Sequence, residues 1–395
     1  MSKKVPIALV STYPPRECGI ATYTAHLREG IRQATASTVP IAAISHYPNE
    51  YQYPSEVWWE LLQDERSSYQ QLATTLTQDE RIQAVGLQHE FGIYGGRDGE
   101  YVLDFVEKLR KPLIVTLHTV LSQPSANQRR IILGLCQHAD AVVVMARKGV
   151  ELLEKVYGVP DDKVKVIPHG LPSLDYDRQT REDVKATLGL QGNVVLCTFG
   201  LISRGKGIET VIEALPQIVE RHPQVRYLVL GKTHPEVARQ EGEAYRMELQ
   251  ERVRQLGLNA YVRFVDRYLD EEELVRYLLA TDIYVTPYLA KEQITSGTLT
   301  YAMGLGKVVI STPYWHAEEL LDEGRGVLVP FRDEKALADA VNALIERPQW
   351  AKEIGSRARK LGKSMEWPRV GERYIELAGA IQAKRRDVGV EARAR

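Results

Sequence analysis

Short runs of apolar residues alternate along the whole chain with segments in which apolar and polar positions are mixed. The apolar runs of the first half are PIALV, PIAAIS, AVGLQ, PLIVTL, AVVVM and VKVIP. Those of the second half are VVLCTFG, RYLVLG, VRFVD, IYVTP, KVVIST and GVLVP. Such near-continuous, β-branched runs, bounded by Gly, Pro or polar residues, predict parallel strands covered on both faces.

The segments between these runs have the spacing of helices. Examples are residues 20–33, 125–137, 207–221 and 271–279. Alternating strands and helices predict α/β units with right-handed crossovers. The alternation weakens in the polar stretch 170–193, and a new strand opens at Val194. We therefore predict two doubly wound, Rossmann-like domains with parallel sheets, at 1–180 and 181–366, facing each other across a cleft, with a helix and a frayed tail at 367–395.

Composition and charge exclude several classes of protein. The 395 residues carry a formal net charge of −1 with acids and bases interspersed, so a nucleic-acid binder is not indicated. Cys18, Cys136 and Cys197 form no metal spacing or disulfide framework, which fits a reducing cytoplasm. The N-terminal MSKKVPIALVST predicts a first strand rather than a signal peptide, and no apolar run has the roughly 20 residues of a membrane helix.

In open α/β sheets, ligands bind at the carboxyl ends of the strands, so the residues after each apolar run are candidates for a site. In STYPPRECGIATYT, Gly19 and Ile20 open a helix directly after the first strand. Unpaired N–H groups at that helix start predict a phosphate or sugar loop, and a plain strand-to-helix turn is the alternative. No G-x-G-x-x-G is present, so a dinucleotide fingerprint is not supported.

Three histidines follow strands of the first half. His89 and Glu90 lie in LQHEFGIYGG, His118 in TLHTV and His169 in VIPHGLP. Two histidines at adjacent strand ends predict hydrogen bonds to sugar hydroxyls, and metal ligation is the less favoured interpretation because no acid or Cys cluster has metal spacing. His169 fits the same role or a cap of the interdomain linker.

Cations precede the first helix of the second half. In TFGLISRGKGIETV, Arg204 and Lys206 lie in a loop ahead of a helix that opens at Gly207. Two cations before a helix N-terminus predict a diphosphate site, because charge-assisted hydrogen bonds to phosphate are worth about 1.5–3 kcal/mol each. The following strand ends place Thr233, and then Asp266 with Arg267, where a nucleoside would lie.

The segment IYVTPYLAKEQITSGTLTYAMGLGK has a lone acid in its loop. Glu292 precedes a predicted helix whose first turn contains Ser296, Gly297 and Thr298. The N–H groups and hydroxyls of that turn can hold a phosphate, which places Glu292 beside a sugar attached to it. The alternative is that Glu292 only caps the helix.

With these residues assembled, the chain resembles the retaining glycosyltransferases of glycosyltransferase family 4, with the GT-B fold. The resemblance covers nearly the whole chain and is most specific in FGLISRGKGIE and around Glu292. It implies that the second domain binds a nucleotide-sugar, that the first binds the acceptor, and that the C-terminal helix crosses back towards the first domain. It also implies that Lys206 binds the diphosphate, Glu292 lies next to the donor sugar, His118 lies near a sugar hydroxyl, and Gly19 lies in a loop over the site.

Two positions depart from the family's pattern. The second acid of its acid-seven residues-acid motif, which holds the ribose, is Thr300 here. The usual Arg of the basic pair is Leu201, and Arg204 lies close enough to substitute for it. Ribose recognition by Thr300 and the identity of the nucleotide are therefore the points at which this chain could differ from its relatives.

The predicted function is retaining transfer of a hexose, mannose or glucose, from GDP-mannose or UDP-glucose to a hydroxyl of a carbohydrate or glycoconjugate acceptor. Glu292, His118 and Lys206 are the predicted catalytic residues. No Asp-x-Asp motif lies where a metal would be needed, so we expect neither metal nor cofactor, and no basic amphipathic face indicates peripheral membrane contact. The alternatives are a sugar-nucleotide epimerase or hydrolase, a pyridoxal-phosphate phosphorylase, and a non-catalytic nucleotide-sugar-binding protein.

Overall fold

The computed structural model describes residues 5–35, 38–172 and 181–393. The contacts divide the chain into two compact units. The N-terminal unit comprises Met1–Pro172 and Met365–Arg395, and the C-terminal unit comprises Ser173–Ser364. The border predicted at 180/181 falls at the end of residues 173–180, which lie outside the described residues.

The N-terminal unit contains a parallel sheet with helices on its faces. Its strands are β1 (Ile7–Ser11), β2 (Ile41–Ser45), β3 (Val57–Leu62), β4 (Ala84–His89), β5 (Leu113–Leu117), β6 (Ala141–Val144) and β7 (Val164–Val166). Its helices are α1 (Gly19–Thr35), α2 (Arg66–Gln78), α3 (Val102–Lys108), α4 (Ala126–His138) and α5 (Arg147–Leu152).

The C-terminal unit repeats this architecture. Its strands are β8 (Val194–Phe199), β9 (Val225–Leu230), β10 (Val262–Val265), β11 (Ile283–Thr286), β12 (Val308–Ser311) and β13 (Val327–Leu328). Its helices are α6 (Arg181–Thr187), α7 (Ile208–Arg221), α8 (Pro235–Glu241), α9 (Ala244–Gln255), α10 (Glu271–Ala280), α11 (Gly297–Gly304), α12 (Trp315–Leu321), α13 (Glu334–Glu346) and α14 (Pro348–Gly362). The last helix of the chain, α15 (Trp367–Arg393), belongs to the N-terminal unit.

Both sheets have the same strand order. It is β3-β2-β1-β4-β5-β6-β7 in the N-terminal unit and β10-β9-β8-β11-β12-β13 in the C-terminal unit, with all described pairs parallel. In each order the direction reverses beside the first strand of the unit, which is the topological switch point where doubly wound folds bind ligands. The predicted fold class, two doubly wound α/β domains, is confirmed.

The prediction missed one strand. β3 has the sequence VWWELL and forms the edge of the N-terminal sheet beside β2. Trp58 is 37% exposed, and only Leu61 of β3 is fully buried. The search for continuous apolar runs missed β3 because Glu60, which accepts from Ser45 of the neighbouring strand, interrupts its apolar residues.

Helix ends follow local sequence signals. Ser125 caps α4 and forms a capping box with Gln128, in which each side chain accepts from the backbone N–H of the other residue. Asp270 caps α10 by accepting from Glu273 N, and three acids fill the first turn of that helix, where the dipole favours negative charge. Predicted helices therefore agree with the structure to within a few residues.

α15 packs tightly on α1. A Cβ at Gly30 would lie 2.2 Å from Trp367 O, and one at Gly371 would lie 2.4 Å from Gly30 C, so the two backbones touch where both residues are glycine. Tyr374 is fully buried, and its hydroxyl lies 3.2 Å from that of Tyr23 on α1 and 2.8 Å from Thr116 Oγ1 on β5. The core of the N-terminal unit therefore includes α15.

None of the helices in the described part of the chain combines the length and the apolar character needed to cross a membrane.

Candidate functional site

Two loops of the C-terminal unit meet at the switch point between β8 and β11. Gly205 O accepts a hydrogen bond from Leu289 N at 3.0 Å, which joins the loop after β8 to the loop after β11. The first loop contains a 3-10 turn, Arg204–Lys206, and the second leads to α11. The cations and the helix N-terminus predicted to bind a diphosphate therefore lie on the two sides of one crevice of the sheet.

Glycines permit this close approach. Gly200, at the end of β8, has φ +131, and a Cβ there would lie 3.3 Å from Thr298 Cγ2. Gly207, the residue before α7, has φ +65, and a Cβ there would lie 2.1 Å from Pro287 O. Larger residues at these positions would separate the two loops and would adopt a backbone conformation that strains L-amino acids.

Lys206 and Tyr288 form the centre of the crevice. Lys206 Nζ lies 2.6 Å from Tyr288 Oη and 4.0 Å from the centroid of its ring. Tyr288 is 5% exposed and its ring stacks on that of Tyr314. The distance from Tyr288 Oη to Thr298 Oγ1 is 2.9 Å. Burial raises the pKa of the Tyr288 hydroxyl, whereas Lys206 and the neighbouring hydrogen bonds lower it, and the net pKa lies below that of an ordinary phenol.

The N-terminus of α11 completes the predicted diphosphate site. Ser296 is the cap of α11, and its Oγ accepts from Leu299 N at 3.3 Å. Ser296 Oγ also lies 3.2 Å from Thr298 Oγ1. The N–H groups of Gly297 and Thr298 belong to the first turn, where no helical carbonyl can accept them. This end of α11 therefore presents amides and a hydroxyl next to Lys206.

The loop carrying Glu292 is attached to the start of α12 on both sides of that residue. Trp315 N donates to Lys291 O at 3.1 Å, and His316 N donates to Gln293 O at 3.1 Å. His316 Nδ1 also accepts from Ser296 N at 2.9 Å, so one residue holds both the loop and the cap of α11. Glu292 itself is exposed. Its carboxylate is therefore carried on an exposed loop whose backbone is fixed on both sides.

Arg204 lies in the predicted loop but is bound to other groups. Its guanidinium pairs with Glu248 at 2.7 Å and with Glu241 at 3.0 Å, and lies over the ring of Tyr245. Two carboxylates compete with any phosphate for this side chain. Because Arg204 is 49% exposed, such pairs stabilise the fold little, and an anion could displace them at low cost.

The residues predicted to contact a nucleoside lie around a buried arginine. Arg246 on α9 is 3% exposed; its Nη2 lies 2.8 Å from Asp266 Oδ1 and donates to Gly231 O at 2.9 Å. Thr233 donates to Glu243, which also pairs with Arg246. Arg246 thus organises Thr233 and Asp266, whereas Arg267 pairs with Glu273 of α10 and is directed away from that cluster.

The prediction that Thr300 contacts a ribose needs correction. Thr300 is 0% exposed, and its hydroxyl donates to Ser296 O at 3.0 Å inside α11. A ribose outside the protein cannot reach that hydroxyl. Thr300 instead satisfies a carbonyl of its own helix, a common role of threonine in helices.

In the N-terminal unit the predicted sugar loop begins α1. Gly19 is the first residue of α1, and a Cβ there would meet no atom within 4 Å. The space beside Gly19 is therefore open in this structure, and its place in a phosphate or sugar loop stays a prediction. Ile20 is half-buried, and its carbonyl accepts from Thr24 Oγ1 at 2.8 Å.

The predicted histidines differ in access. His89 is 0% exposed and neither ring nitrogen has a partner in the described structure; it stacks on Tyr94, and burial lowers its pKa to about 3. The prediction that His89 binds sugar hydroxyls therefore needs correction, because a ligand cannot reach the ring.

His118 is 8% exposed, and its Nε2 lies 3.0 Å from Gln88 Oε1. Burial is the largest cause that lowers the pKa of His118 to about 3, and the neighbouring His169 and His89 lower it further. His118 is thus a neutral imidazole at the edge of the sheet.

Glu90 and His169 are tied to their surroundings. Glu90 accepts from Phe91 N at 3.0 Å and from Thr119 Oγ1 at 2.6 Å, and burial raises the pKa of its carboxyl. His169 Nδ1 lies 2.7 Å from Gly170 O, and burial lowers its pKa to about 4. Both side chains have the contacts of structural residues at this edge. Within the described ranges, no three His, Cys, Asp or Glu residues cluster as metal ligands would.

Sequence reasoning missed Tyr288, His316 and Arg246. Tyr288 directly follows Pro287 after an apolar run, so its position at a strand end was a usable signal. His316 likewise follows β12, in STPYWHAEE. Arg246 gave no signal, because it lies inside an ordinary charged helix and its burial depends on tertiary packing.

Two family models match the chain, and together they cover most of it. Residues 19–173 match the model described as Glycosyltransferase Family 4, and residues 192–347 match the model described as Glycosyl transferases group 1. The two matched regions lie in the N-terminal and the C-terminal unit respectively, apart from the last residue of the first.

Curated relatives are distant. The chain is 28% identical over 291 residues to a D-inositol 3-phosphate glycosyltransferase of Corynebacterium diphtheriae, covering 68% of this chain and 65% of that protein. It is 23% identical over 205 residues to spore coat protein SA of Bacillus subtilis, covering 51% of this chain and 52% of that protein. The chain thus spans about half to two thirds of the length of these relatives.

Solved structures share the fold. The Anabaena protein HepE in complex with UDP has a TM-score of 0.76 at 18% identity, covering 95% of this chain and 100% of that one. The same protein in complex with UDP-glucose has a TM-score of 0.73 at 18% identity, covering 95% and 99%. These structures show agreement in fold. From the two family models, which match residues 19–173 and 192–347, the chain belongs to the glycosyltransferases of family 4.

Proposed function

We propose that the protein transfers a hexose from a nucleoside-diphosphate sugar to a hydroxyl of a carbohydrate or glycoconjugate, with retention of the anomeric configuration. The observation that carries the proposal is the convergence of Lys206, Thr298 and the first turn of α11 at the switch point of the C-terminal sheet. A cation, unpaired amides and a hydroxyl in one crevice are what a diphosphate requires.

In the proposed reaction the glycosidic C–O bond breaks and the nucleoside diphosphate leaves with the electron pair. Lys206 and the α11 amides stabilise the negative charge that develops on the leaving oxygens. Arg204 joins them only if the diphosphate displaces Glu241 and Glu248. The neutralisation then comes from fixed protein groups, and we propose that turnover is unchanged by EDTA.

Glu292 is proposed to lie beside the donor sugar, where a carboxylate stabilises positive charge on the ring in an oxocarbenium-like transition state. The leaving phosphate, rather than Glu292, is proposed to accept the proton of the acceptor hydroxyl as that hydroxyl attacks the same face. His118, a neutral imidazole with one ring nitrogen already facing Gln88, is proposed to hydrogen-bond a sugar hydroxyl. The acceptor is proposed to bind at the N-terminal unit.

GDP-mannose and UDP-glucose are the donors we propose to test first. Support for uridine comes from HepE, whose structures contain UDP and UDP-glucose. The Arg246 cluster, with Asp266 half-exposed and Thr233 buried, is the proposed place of the nucleoside.

The experiment is a thermal-shift panel of nucleotide-sugars, followed by calorimetry with the best ligand and turnover with an acceptor library. A donor at 100 times its dissociation constant stabilises the folded state by roughly 2.7 kcal/mol. NMR of the product then reports the anomeric configuration. If no nucleotide-sugar stabilises the protein, the proposed function is wrong.

Glu292→Gln tests the role of the acid. The substitution keeps the shape and removes the charge that the transition state needs, so we expect turnover to fall at least 100-fold, about 2.7 kcal/mol, with donor affinity nearly unchanged. A matched control is Gln293→Glu, next to it in the same loop. An equal loss of binding and turnover in Glu292→Gln would reassign Glu292 to holding the loop.

A further inference from the structure

Tyr288 connects the two halves of the crevice, and none of the roles assigned above requires it. Its hydroxyl lies between Lys206 Nζ at 2.6 Å and Thr298 Oγ1 at 2.9 Å. The ring is 5% exposed and fixed by stacking on Tyr314, with centroids 5.1 Å apart and planes 17° apart. Its backbone is fixed too, because Tyr288 O accepts from Thr312 Oγ1 at 2.6 Å.

The lysine sets the direction of the hydrogen bonds that join Lys206, Tyr288 and Thr298. An ammonium group donates and never accepts, so Lys206 donates to Tyr288 Oη. The single phenolic hydrogen can then go to Thr298 Oγ1, 2.9 Å away, and Ser296 is a second hydroxyl that interacts with Tyr288. When Thr298 accepts that hydrogen, its own hydrogen points elsewhere. The buried Tyr284 hydroxyl also interacts with Thr298, and Ser296 Oγ lies 3.2 Å from Thr298 Oγ1.

That last contact is long and easily replaced. Ser296 Oγ already accepts from Leu299 N at 3.3 Å as the cap of α11. A phosphate oxyanion is a stronger acceptor than a serine hydroxyl, since hydrogen bonds to charged groups are roughly twice as strong as neutral ones. The Thr298 hydrogen is therefore preset to donate to an anion arriving at the first turn of α11.

We propose that Tyr288 is a positioning residue for diphosphate binding. It holds Lys206 against the N-terminus of α11 and sets the Thr298 hydroxyl as a donor, so that the cation and the helix end act as one anion site. The inference rests on the proposed function, since it assigns Tyr288 a part in the same diphosphate site. The ligand class is a pyrophosphate group, whatever nucleoside it carries.

The test is a set of four variants titrated with UDP, GDP and inorganic pyrophosphate by calorimetry. Tyr288→Phe keeps the ring and its stacking but breaks the chain of donors, and we expect 5- to 10-fold weaker binding of the diphosphates. Thr298→Val, which removes the last donor, should weaken binding to a similar extent. The double variant should bind the diphosphates no more weakly than either single variant, because Tyr288 acts through the Thr298 hydroxyl. Thr298→Ser keeps the hydroxyl and should bind the diphosphates more tightly than Thr298→Val does, which is the rescue expected if the hydroxyl is the donor.

The matched control is Tyr227→Phe. Tyr227 on β9 is fully buried in the same unit, and its hydroxyl donates to Thr198 Oγ1 at 2.9 Å rather than to Lys206, Ser296 or Thr298. A general loss of packing would affect both phenylalanine variants, whereas the proposed role affects only Tyr288→Phe. Thermal unfolding of each variant confirms that the folded protein is being compared.

The outcomes separate the inference from the proposed function. If wild type binds none of the three ligands, both are overturned. If wild type binds and Tyr288→Phe binds equally well, or if Tyr227→Phe loses as much affinity, the inference alone is overturned. If the losses of Tyr288→Phe and Thr298→Val multiply in the double variant, Tyr288 does not act through Thr298 and the inference is likewise overturned.

Discussion

The two sheets share one strand order but carry opposite chemistry at their carboxyl edges. Beyond β4 and β5 of the N-terminal unit lie His89 and His118, buried and neutral. Beyond β8 and β11 of the C-terminal unit lie Lys206 and the hydroxyls around Thr298. Topology thus fixes where each site lies, while the side chains at the strand ends decide what it can bind.

The difference lies in solvation. Burial lowers the pKa of His89 and His118, so both are neutral at this edge. In the C-terminal unit Lys206 is only partly buried, and its Nζ lies against the Tyr288 hydroxyl. The two edges therefore differ in burial and in the kind of polar group that they carry.

The largest expected effect is that the two units lose stability in different pH ranges. For His89 and His118 the pKa in the folded protein is about 3, below the usual 6.5, so their contribution is present above pH 6.5 and is lost as pH falls. The free energy of unfolding can fall by at most roughly 1.4 kcal/mol per pH unit for each histidine, which is about 3 kcal/mol per pH unit for the two together. His169 acts in the same direction; Glu90, whose pKa is raised, acts in the opposite one.

In the C-terminal unit the titrating group is Lys307, whose pKa burial lowers to about 7 from the usual 10.5. Its stabilisation is present at high pH and is lost as pH falls from 10.5 to about 7, so it adds no slope in acid. Hydrogen exchange from pH 7 to 5 should therefore show β4 and β5 losing protection below pH 6.5 while β8 and β11 change little. The variant His89→Leu should flatten the acid slope of the N-terminal unit, and equal slopes in both units would contradict the comparison.

Lys206→Ala is expected to weaken diphosphate binding by about 2 kcal/mol, roughly 30-fold, because it removes a charge-assisted hydrogen bond. Arg204→Ala is the internal comparison. Since Arg204 is held by Glu241 and Glu248, its removal should cost less than that of Lys206. Calorimetry with UDP and GDP measures both, and a larger loss in Arg204→Ala would make Arg204 the main ligand of the diphosphate.

A smaller difference in stability is expected between alanine substitutions of Gly200, after β8, and Gly19, after β1. Gly200→Ala places a Cβ 3.3 Å from Thr298 Cγ2 at φ +131, so we expect roughly 1–3 kcal/mol of lost stability and weaker diphosphate binding. Gly19→Ala meets no atom within 4 Å at the start of α1, so we expect it to be neutral or slightly stabilising. Urea unfolding compares the two, and similar effects would show that the close approach at Gly200 is unimportant.

Much of the fold could be predicted because buried parallel strands give continuous apolar runs. β8 and β11 are examples, since nearly every residue in them is buried. β3 could not be found in this way, because Glu60 interrupts its apolar residues and most of its positions are only partly buried. The resemblance to family 4 and the class of enzyme are confirmed by the family models, and the site residues remain predictions.

The candidate site was only partly predictable. Lys206 and Ser296 follow apolar runs and flank the switch point, so sequence order alone suggested them. The burial of His89 and Thr300 could not be predicted, because a polar residue at a strand end or in a helix has the same sequence signature whether it faces solvent or the core. The contact between Lys206 and Tyr288 joins residues 82 positions apart and appears only when the strands pair.

The place of α15 has a consequence for how the chain is made. The N-terminal unit is discontinuous, because Trp367 and Tyr374 complete its core although they are encoded after the whole C-terminal unit. On the ribosome, residues 1–172 are therefore synthesised before α15. The face of α1 that α15 covers stays exposed while the C-terminal unit, which is continuous, is synthesised and can fold. A stop codon before residue 367 would remove α15 and leave the core residues that pack against Trp367 and Tyr374 uncovered.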